Sequence, residues 1–143
     1  SSDLVDPQTG QSKVVRYVVV DDFGYLLNPM LVEGQVHGGV VQGLGQAMME
    51  HVVYDDNGQL LTASFMDYGM PRAADVPMFD FNSVVVPSTA NPIGMKGCGE
   101  AGTIGSMAAV SNAVMDALAS KGVTRADMPF TPQRVWSMLQ NAG

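Results

Sequence analysis

Residues 91–105 place five glycines around one carboxylate, that of Glu100, and a helical pattern begins directly after the stretch. Glycine is used where the backbone φ angle must be positive or where another group comes close to the backbone, so these glycines predict a tight loop against a bound group. The helix that follows leaves its first N–H groups unpaired near the loop, and these favour an anion or a developing negative charge. The loop is therefore a candidate ligand site, in which Glu100 is the only acid.

The loop residues permit three interpretations. The loop could bind phosphate, position Glu100 as a general base, or simply connect two elements. The spacing matches neither common phosphate motif, because no Gly-Lys-Ser/Thr follows the glycines and Gly97-x-Gly99 lacks the third glycine of a dinucleotide-binding fingerprint. Phosphate binding is thus weakly supported, and the other two interpretations stay open.

A long helix is predicted from Asn28-Pro29 to about residue 50, because Asn is a favoured N-cap and Pro is tolerated at the first helical position. At about 100° per residue, three glutamines fall on one strip with glycines on both sides. The strip is Gln35, Gln42 and Gln46, bordered by Gly34, Gly38, Gly39, Gly43 and Gly45, and the opposite core face is Val36, Val40, Val41, Leu44 and Met48. Interior glycines each cost roughly 1 kcal/mol relative to Ala, so we expect a ligand or another backbone close to them.

The remaining segments predict an α+β fold, in which a mixed sheet of hairpins and strands packs against two longer helices and a short C-terminal helix. Asn57-Gly58 between apolar runs predicts a hairpin. Trp136 and a stripe that begins at Ile104 are assigned to the core. The other expected elements are a hairpin around residues 6–10, strands at 13–20 and 79–87, a corner at 65–72, a helix that ends at Lys121-Gly122 and a last helix from Thr131-Pro132.

Composition limits the partners of the chain. With 143 residues, of which 46% are hydrophobic, one domain is expected. A net charge of −7 with only seven Lys and Arg argues against nucleic acid. The single cysteine, Cys98, excludes an internal disulfide and an iron–sulfur cluster held by this chain alone. No apolar run reaches about 18 residues and no leader pattern is visible, so we expect no membrane contact and a cytoplasmic enzyme.

Two strings in the chain resemble the molybdenum hydroxylases, the family of xanthine dehydrogenase, aldehyde oxidase and aerobic carbon monoxide dehydrogenase. Residues 91–105, Asn-Pro-x-Gly-x-Lys-Gly-x-Gly-Glu-Ala-Gly-Thr-Ile-Gly, resemble the active-site loop of the family. Its Glu-Ala-Gly-Thr-Ile-Gly ending is most similar to the carbon monoxide dehydrogenase-like branch. Residues 34–46, which begin Gly-Gln-Val-His-Gly-Gly, resemble a second recurring string of the family. Both strings occur in the family's order.

The resemblance implies roles for individual residues. Glu100 is expected to act as the general base, which takes a proton from the oxygen that attacks an electron-poor carbon of the substrate. The glutamine of the leading Gly-Gln pair contacts the pterin cofactor in the family, which assigns this role to Gln35. Gln42 and Gln46 are weaker candidates of the same kind. The cofactor is also expected against Gly97, Cys98 and Gly99, with Cys98 contributing its backbone, and no side chain of this chain is expected to bind the metal.

The resemblance also implies a reaction, cofactors and partners. The reaction is oxidative hydroxylation of an aldehyde, N-heterocycle or similar small substrate, with water as the oxygen source. The cofactor is molybdenum–molybdopterin, expected in its cytosine dinucleotide form, and iron–sulfur clusters and FAD are expected on partner subunits. Residues 1–143 are expected to be one domain, the C-terminal portion of the large subunit of an oligomeric complex, and inactive when isolated. The alternatives are a non-catalytic pterin- or nucleotide-binding module and a structural domain whose glycines serve helix packing alone.

Overall fold

The computed structural model describes residues 5–142. The chain forms strands β1 (Tyr17–Asp21) and β2 (Phe79–Ser83) and helices α1 (Pro29–Met48), α2 (Ala101–Ala119) and α3 (Pro132–Asn141), with a 3-10 turn at Ala73–Asp75 before β2. The predicted α+β class, with two longer helices and a short final one, is confirmed. The sheet is smaller than predicted, because in the described part of the chain only β1 and β2 pair as strands and the hairpins contribute isolated bridges.

Helix α1 begins as the sequence predicts. Asn28 has an extended backbone, its side-chain oxygen accepts a hydrogen bond of 3.2 Å from the backbone N–H of Leu31, and Pro29 occupies the first turn. The side chain therefore satisfies one of the N–H groups that a helix start leaves unpaired. The helix ends at Met48, close to the predicted end.

Helices α1 and α2 pack with their backbones in close contact, and three glycines make this approach possible. A Cβ atom added at Gly102 would lie 2.5 Å from the carbonyl oxygen of Val36. A Cβ atom at Gly39 would lie 2.9 Å from the backbone nitrogen of Thr103. A Cβ atom at Gly43 would lie 2.8 Å from the carbonyl oxygen of the same residue, Thr103. The first turn of α2, which follows Glu100, is thereby fixed against the middle of α1.

The sheet is a parallel pair in which Tyr17 lies opposite Phe79 and Asp21 lies opposite Ser83. The predicted strand at 13–20 begins only at Tyr17, and the one predicted at 79–87 ends at Ser83. Beyond Ser83 the chain leaves the sheet, so residues 84–86 are exposed although they are all valines. Along β1 the residues alternate between half-buried and exposed, so within this chain only one face of the strand is covered.

Two groups of buried side chains form the core. The smaller group lies against the sheet and the glycine loop and consists of Phe23, Val36 and Val40, with Cys98 packed against it. The larger group joins the three helices and includes Val5, Leu44, Ala47, Met48, Val110, Val114, Ala117, Leu118, Val123, Phe130 and Val135. The apolar face predicted for α1 is confirmed at four of its residues, Val36, Val40, Leu44 and Met48, which are buried.

Two core assignments from the sequence are wrong. Ile104 is 64% exposed and Trp136 is 44% exposed. Later residues of the predicted stripe, Val114 and Leu118, are buried, whereas Ile104 lies off the face that the contact at Gly102 turns towards α1. In α3, Val135 is fully buried, and its neighbour Trp136 is rotated away by about 100°.

The remaining turns hold the ends of these elements. The predicted hairpin at Asn57-Gly58 is confirmed, with Gly58 at a positive φ of 78° and a bridge between Tyr54 and Leu60. The first hairpin is present as a bridge between Val5 and Ser12, and the start of its first arm, Leu4, lies outside the described residues. Among residues 5–142, no helix is long and apolar enough to cross a membrane.

Candidate active site

The helix packing brings the two glycine-rich strings together. The hydroxyl of Thr103, in the first turn of α2, lies 3.4 Å from the side-chain oxygen of Gln42 on α1 and can donate a hydrogen bond to it. Cys98 in the glycine loop is half-buried and packs against the group that contains Val36, the residue after Gln35. The loop around Glu100 therefore lies beside the glutamine strip of α1, although 44 residues, 47–90, separate the two strings in the sequence.

The glycine loop is anchored to the segment that leaves β1. Gly24 and Met95 form an antiparallel bridge, and the N–H of Lys96 donates to the carbonyl oxygen of Phe23 at 2.9 Å. Gly24 and Gly94 both have a positive φ, 62° and 74°, which L side chains rarely adopt. A Cβ atom at Gly24 would lie 1.9 Å from the carbonyl oxygen of Gly94. These two positions therefore require glycine.

An ion pair adds to this anchor. The ammonium group of Lys96 donates to the carboxylate of Asp22, and the same carboxylate accepts backbone hydrogen bonds from Gly24 at 2.9 Å and Val86 at 3.0 Å. These hydrogen bonds lower the pKa of the Asp22 carboxyl to about 2. The bond from Lys96 has the largest effect, and the two backbone N–H groups have smaller ones. The carboxylate thus connects the exit of β1, the segment after β2 and the glycine loop.

The titration of Asp22 gives a first prediction. Because its pKa in the folded chain lies below the ordinary value of 3.8, its stabilising contribution is present above pH 3.8 and is lost as the pH falls towards 2. We expect a midpoint near 2 in a ¹³C NMR titration of the Asp22 carboxyl carbon, and a higher midpoint in the Lys96→Met variant. A midpoint near 3.8 in both proteins would show that the carboxylate lacks these contacts in solution.

Glu100 lies at the N-cap of α2 with its side chain exposed. Its carboxylate accepts no capping hydrogen bond from the first N–H groups of the helix. The helix start therefore fixes where the residue lies but does not bind its carboxylate. The Glu100 side chain is not buried by any part of this chain that the structure describes. What the chain fixes is the position of the Glu100 backbone, through the loop anchor before it and the Gly102 contact after it.

Most of the glycines near Glu100 and the glutamine strip fall into two sets. Gly39, Gly43 and Gly102 contact the neighbouring helix, as described above. A second set has no atom within 4 Å of an added Cβ, and its members are Gly34, Gly38, Gly97, Gly99 and Gly105. We call the exposed surface made by Gly97, Gly99 and Glu100 the loop face. Gln35, Gln42 and Gln46 are exposed as well.

Each site residue predicted from the sequence can now be placed. Glu100, Gly97 and Gly99 share the loop face, Cys98 is turned partly towards the core, and Gln42 reaches the first turn of α2 through Thr103. Gln35 lies two turns before Gln42 on the same side of α1. Among residues 5–142, no three His, Cys, Asp or Glu side chains lie close enough together to hold a metal ion.

Sequence reasoning missed Asp22 as part of this site. The available signal was two adjacent acids, Asp21 and Asp22, directly after a strand and before Phe23-Gly24. Only the structure separates their roles. Burial raises the pKa of the Asp21 carboxyl, one oxygen of which has no hydrogen-bond partner in the described chain, whereas Asp22 binds the loop.

Comparison with known proteins shows the family of the chain. Residues 4–77 match the model of a molybdopterin cofactor-binding domain. The large chain of carbon monoxide dehydrogenase from Hydrogenophaga pseudoflava is 43% identical over 95% of this chain and 17% of its own length. The large subunit of nicotine 6-hydroxylase from Paenarthrobacter nicotinovorans is 44% identical over 92% of this chain and 16% of its own.

A solved structure shows the same fold. The structure of quinoline 2-oxidoreductase from Pseudomonas putida 86 superposes with a TM-score of 0.93 at 42% identity, over 97% of this chain and 18% of the solved chain. The chain therefore spans about one sixth of the length of the relatives that it matches.

Proposed function

Because the chain belongs to the molybdopterin cofactor-binding domain family, we propose that residues 1–143 form one domain, the C-terminal portion of the large subunit of a molybdenum hydroxylase. The proposed enzyme oxidatively hydroxylates an aldehyde, an N-heterocycle or a similar small molecule, with water as the source of oxygen. One observation carries this proposal: the close contact of Gly39 on α1 with Gly102 on α2 places the glutamine strip beside the loop face.

The residues on this surface fit a pterin cofactor. A pterin carries several hydrogen-bond donors and acceptors, and a side-chain amide can satisfy both kinds. Gln35 and Gln42 supply exposed amides, and the backbone at Gly97 and Gly99 is open to close approach by a ligand. We propose that these four residues, together with the backbone of Cys98, hold the cofactor. When bound, the molybdenum cofactor supplies the two-electron oxidation.

Glu100 is the proposed general base. Its carboxylate is exposed on the loop face and is not engaged by the N-terminus of α2, so it is available to accept a proton from the oxygen that attacks the substrate carbon. Its backbone is held on both sides, by the loop anchor and by the packing of Gly102, so the carboxylate starts from a defined position. A base with a fixed starting position loses less entropy when it engages the reacting group.

Further components belong to the proposal. We propose that the cofactor has the cytosine dinucleotide form, that an iron–sulfur subunit and an FAD subunit receive the electrons, and that the complex is a cytoplasmic oligomer. Support comes from the resemblance of residues 100–105 to the carbon monoxide dehydrogenase-like branch. The names of two relatives, a large chain and a large subunit, also indicate at least one further chain in those enzymes.

The Gln35 amide gives a test that does not depend on turnover. Replacing Gln35 with Ala in the full-length protein that carries this chain leaves pterin atoms unpaired in a buried site, at a cost of roughly 1 to 3 kcal/mol, or about 5- to 150-fold in affinity. We expect the purified variant to retain clearly less pterin and molybdenum than the parent. The matched control is Gln140→Ala, at an exposed amide on α3. Equal cofactor content in parent, variant and control would remove Gln35 from the site.

A further inference from the structure

The chain between the anchor and Glu100 is short. Lys96 is the last loop residue with a backbone hydrogen bond to another segment, the bond to Phe23, and only Gly97, Cys98 and Gly99 separate it from Glu100. Two of these three are glycines without neighbours within 4 Å of an added Cβ. The placement of Glu100 therefore depends on how firmly Lys96 is held, since the glycines themselves restrict the backbone little.

The ion pair that holds the Lys96 side chain is less exposed to solvent than an ordinary surface ion pair. The side chains of Lys96 and Asp22 are 35% and 31% exposed, whereas those of the other close carboxylate pair, Arg16 and Asp80, are 74% and 59% exposed. Asp22 is also fixed by the two backbone N–H groups that it accepts. A carboxylate that is already held needs little further ordering to bind the lysine, so this pair restrains the loop more than a mobile surface pair does.

We propose that Asp22 and Lys96 are positioning residues for the general base, which hold the glycine loop so that Glu100 stands at the start of α2 in a fixed orientation. Among the described residues, neither side chain forms a hydrogen bond with the loop face or the glutamine strip, so the effect of the pair passes through the backbone of residues 96–100. The inference rests on the proposed function for its catalytic consequence. Its structural part, the restraint of the loop, is measurable without turnover.

The experiment uses five variants of the full-length protein that carries this chain, and the fifth combines Asp22→Asn with Lys96→Met. Asp22→Asn keeps the acceptor for the N–H groups of Gly24 and Val86 but removes the charge, and Lys96→Met removes the ammonium group. Lys96→Arg restores a cation. The double variant of Arg16→Gln and Asp80→Asn is the matched control, because it removes an ion pair between the residue before β1 and strand β2 without touching the loop.

Hydrogen exchange of the two backbone N–H groups that bond the loop to the segment after β1, those of Tyr25 and residue 96, is the first readout, followed by mass spectrometry. We expect exchange to rise roughly threefold or more in Asp22→Asn and Lys96→Met, because the restraint on local opening is weakened. We expect the parent's rate in Lys96→Arg and in the control. The double variant of Asp22→Asn and Lys96→Met is expected to exchange no faster than the faster single variant, since both changes remove one shared interaction.

The second readout separates positioning from general stability. We expect kcat to fall roughly tenfold with KM changed less than twofold in Asp22→Asn and Lys96→Met, and to recover in Lys96→Arg. Unchanged exchange at Tyr25 and residue 96 overturns the restraint, and faster exchange with an unchanged kcat overturns the positioning role. If the parent protein itself has no molybdenum and no hydroxylase turnover, the proposed function fails, and the exchange rates still decide whether the pair holds the loop.

Discussion

Replacing Glu100 with Gln lowers turnover by roughly 10²-fold or more in the full-length enzyme, while the fold and the molybdenum content stay those of the parent. Glutamine has nearly the same shape as glutamate but cannot accept a proton, and loss of a general base typically costs this much. The fold is expected to tolerate the change because the side chain is exposed and makes no capping hydrogen bond. Steady-state kinetics at measured molybdenum occupancy give the result.

The matched control is Asp116→Asn, at an exposed carboxylate in the second half of the same helix. It makes the same neutralising change in α2 but lies four turns from the loop face. We expect parental turnover from this control. If Glu100→Gln keeps turnover within a few-fold of the parent at equal molybdenum content, Glu100 is not the base, and the alternative of a non-catalytic binding module gains support.

Replacing Gly102 with Ala destabilises the 143-residue chain by about 1 to 3 kcal/mol, the scale of an overpacked contact. The added Cβ would lie 2.5 Å from the carbonyl oxygen of Val36 and 2.9 Å from the backbone nitrogen of Val40. Both neighbours are backbone atoms of α1, so the clash is relieved only if one helix moves. Because Gly102 is two residues from Glu100, the same movement displaces the proposed base.

The control for Gly102→Ala is Gly105→Ala, one turn further along α2, where an added Cβ meets no atom within 4 Å. Alanine is the better helix former by up to about 1 kcal/mol, so this variant is expected to be as stable as the parent or more stable. Denaturant unfolding of the three proteins gives the comparison. If both variants change stability in the same direction and by the same amount, the close helix contact at Gly102 is not present in solution.

Local signals in the sequence were enough to predict the main elements. Asn28-Pro29 marks the start of α1 because the cap and the first-turn proline act within a few residues, and Asn57-Gly58 marks a hairpin for the same reason. The inward face of the first turns of α2 could not be predicted in this way. It depends on where Gly102 meets α1, a contact between distant parts of the chain, and so Ile104 was wrongly placed in the core. Trp136 was wrongly placed because hydrophobic size alone does not fix which side of a helix faces inward.

The sequence predicted some features of the candidate site and missed others, again because contacts between distant parts of the chain leave no local pattern. The glycines predicted that another group lies close to the backbone, but they did not indicate whether that group is a helix or a ligand. The structure divides them, with Gly39, Gly43 and Gly102 at the helix contact and Gly97 and Gly99 open. The link between Asp22 and Lys96 spans 74 residues, and no local pattern indicates which of two adjacent acids takes part. The roles of Glu100 and Gln35 stay predictions until they are measured.

An anomalous difference map, collected at the molybdenum absorption edge from crystals of the full-length protein, tests the proposed cofactor site most directly. The chain offers one surface where a general base, an open glycine backbone and exposed amides come together, the loop face with the neighbouring glutamine strip. We expect one strong molybdenum peak for each copy of the chain, and we expect it to lie next to the loop face, close to the Glu100 carboxylate. A stoichiometric molybdenum peak bounded by other segments, with the loop face covered by protein alone, would contradict the assignment of Glu100 and Gln35 to the active site.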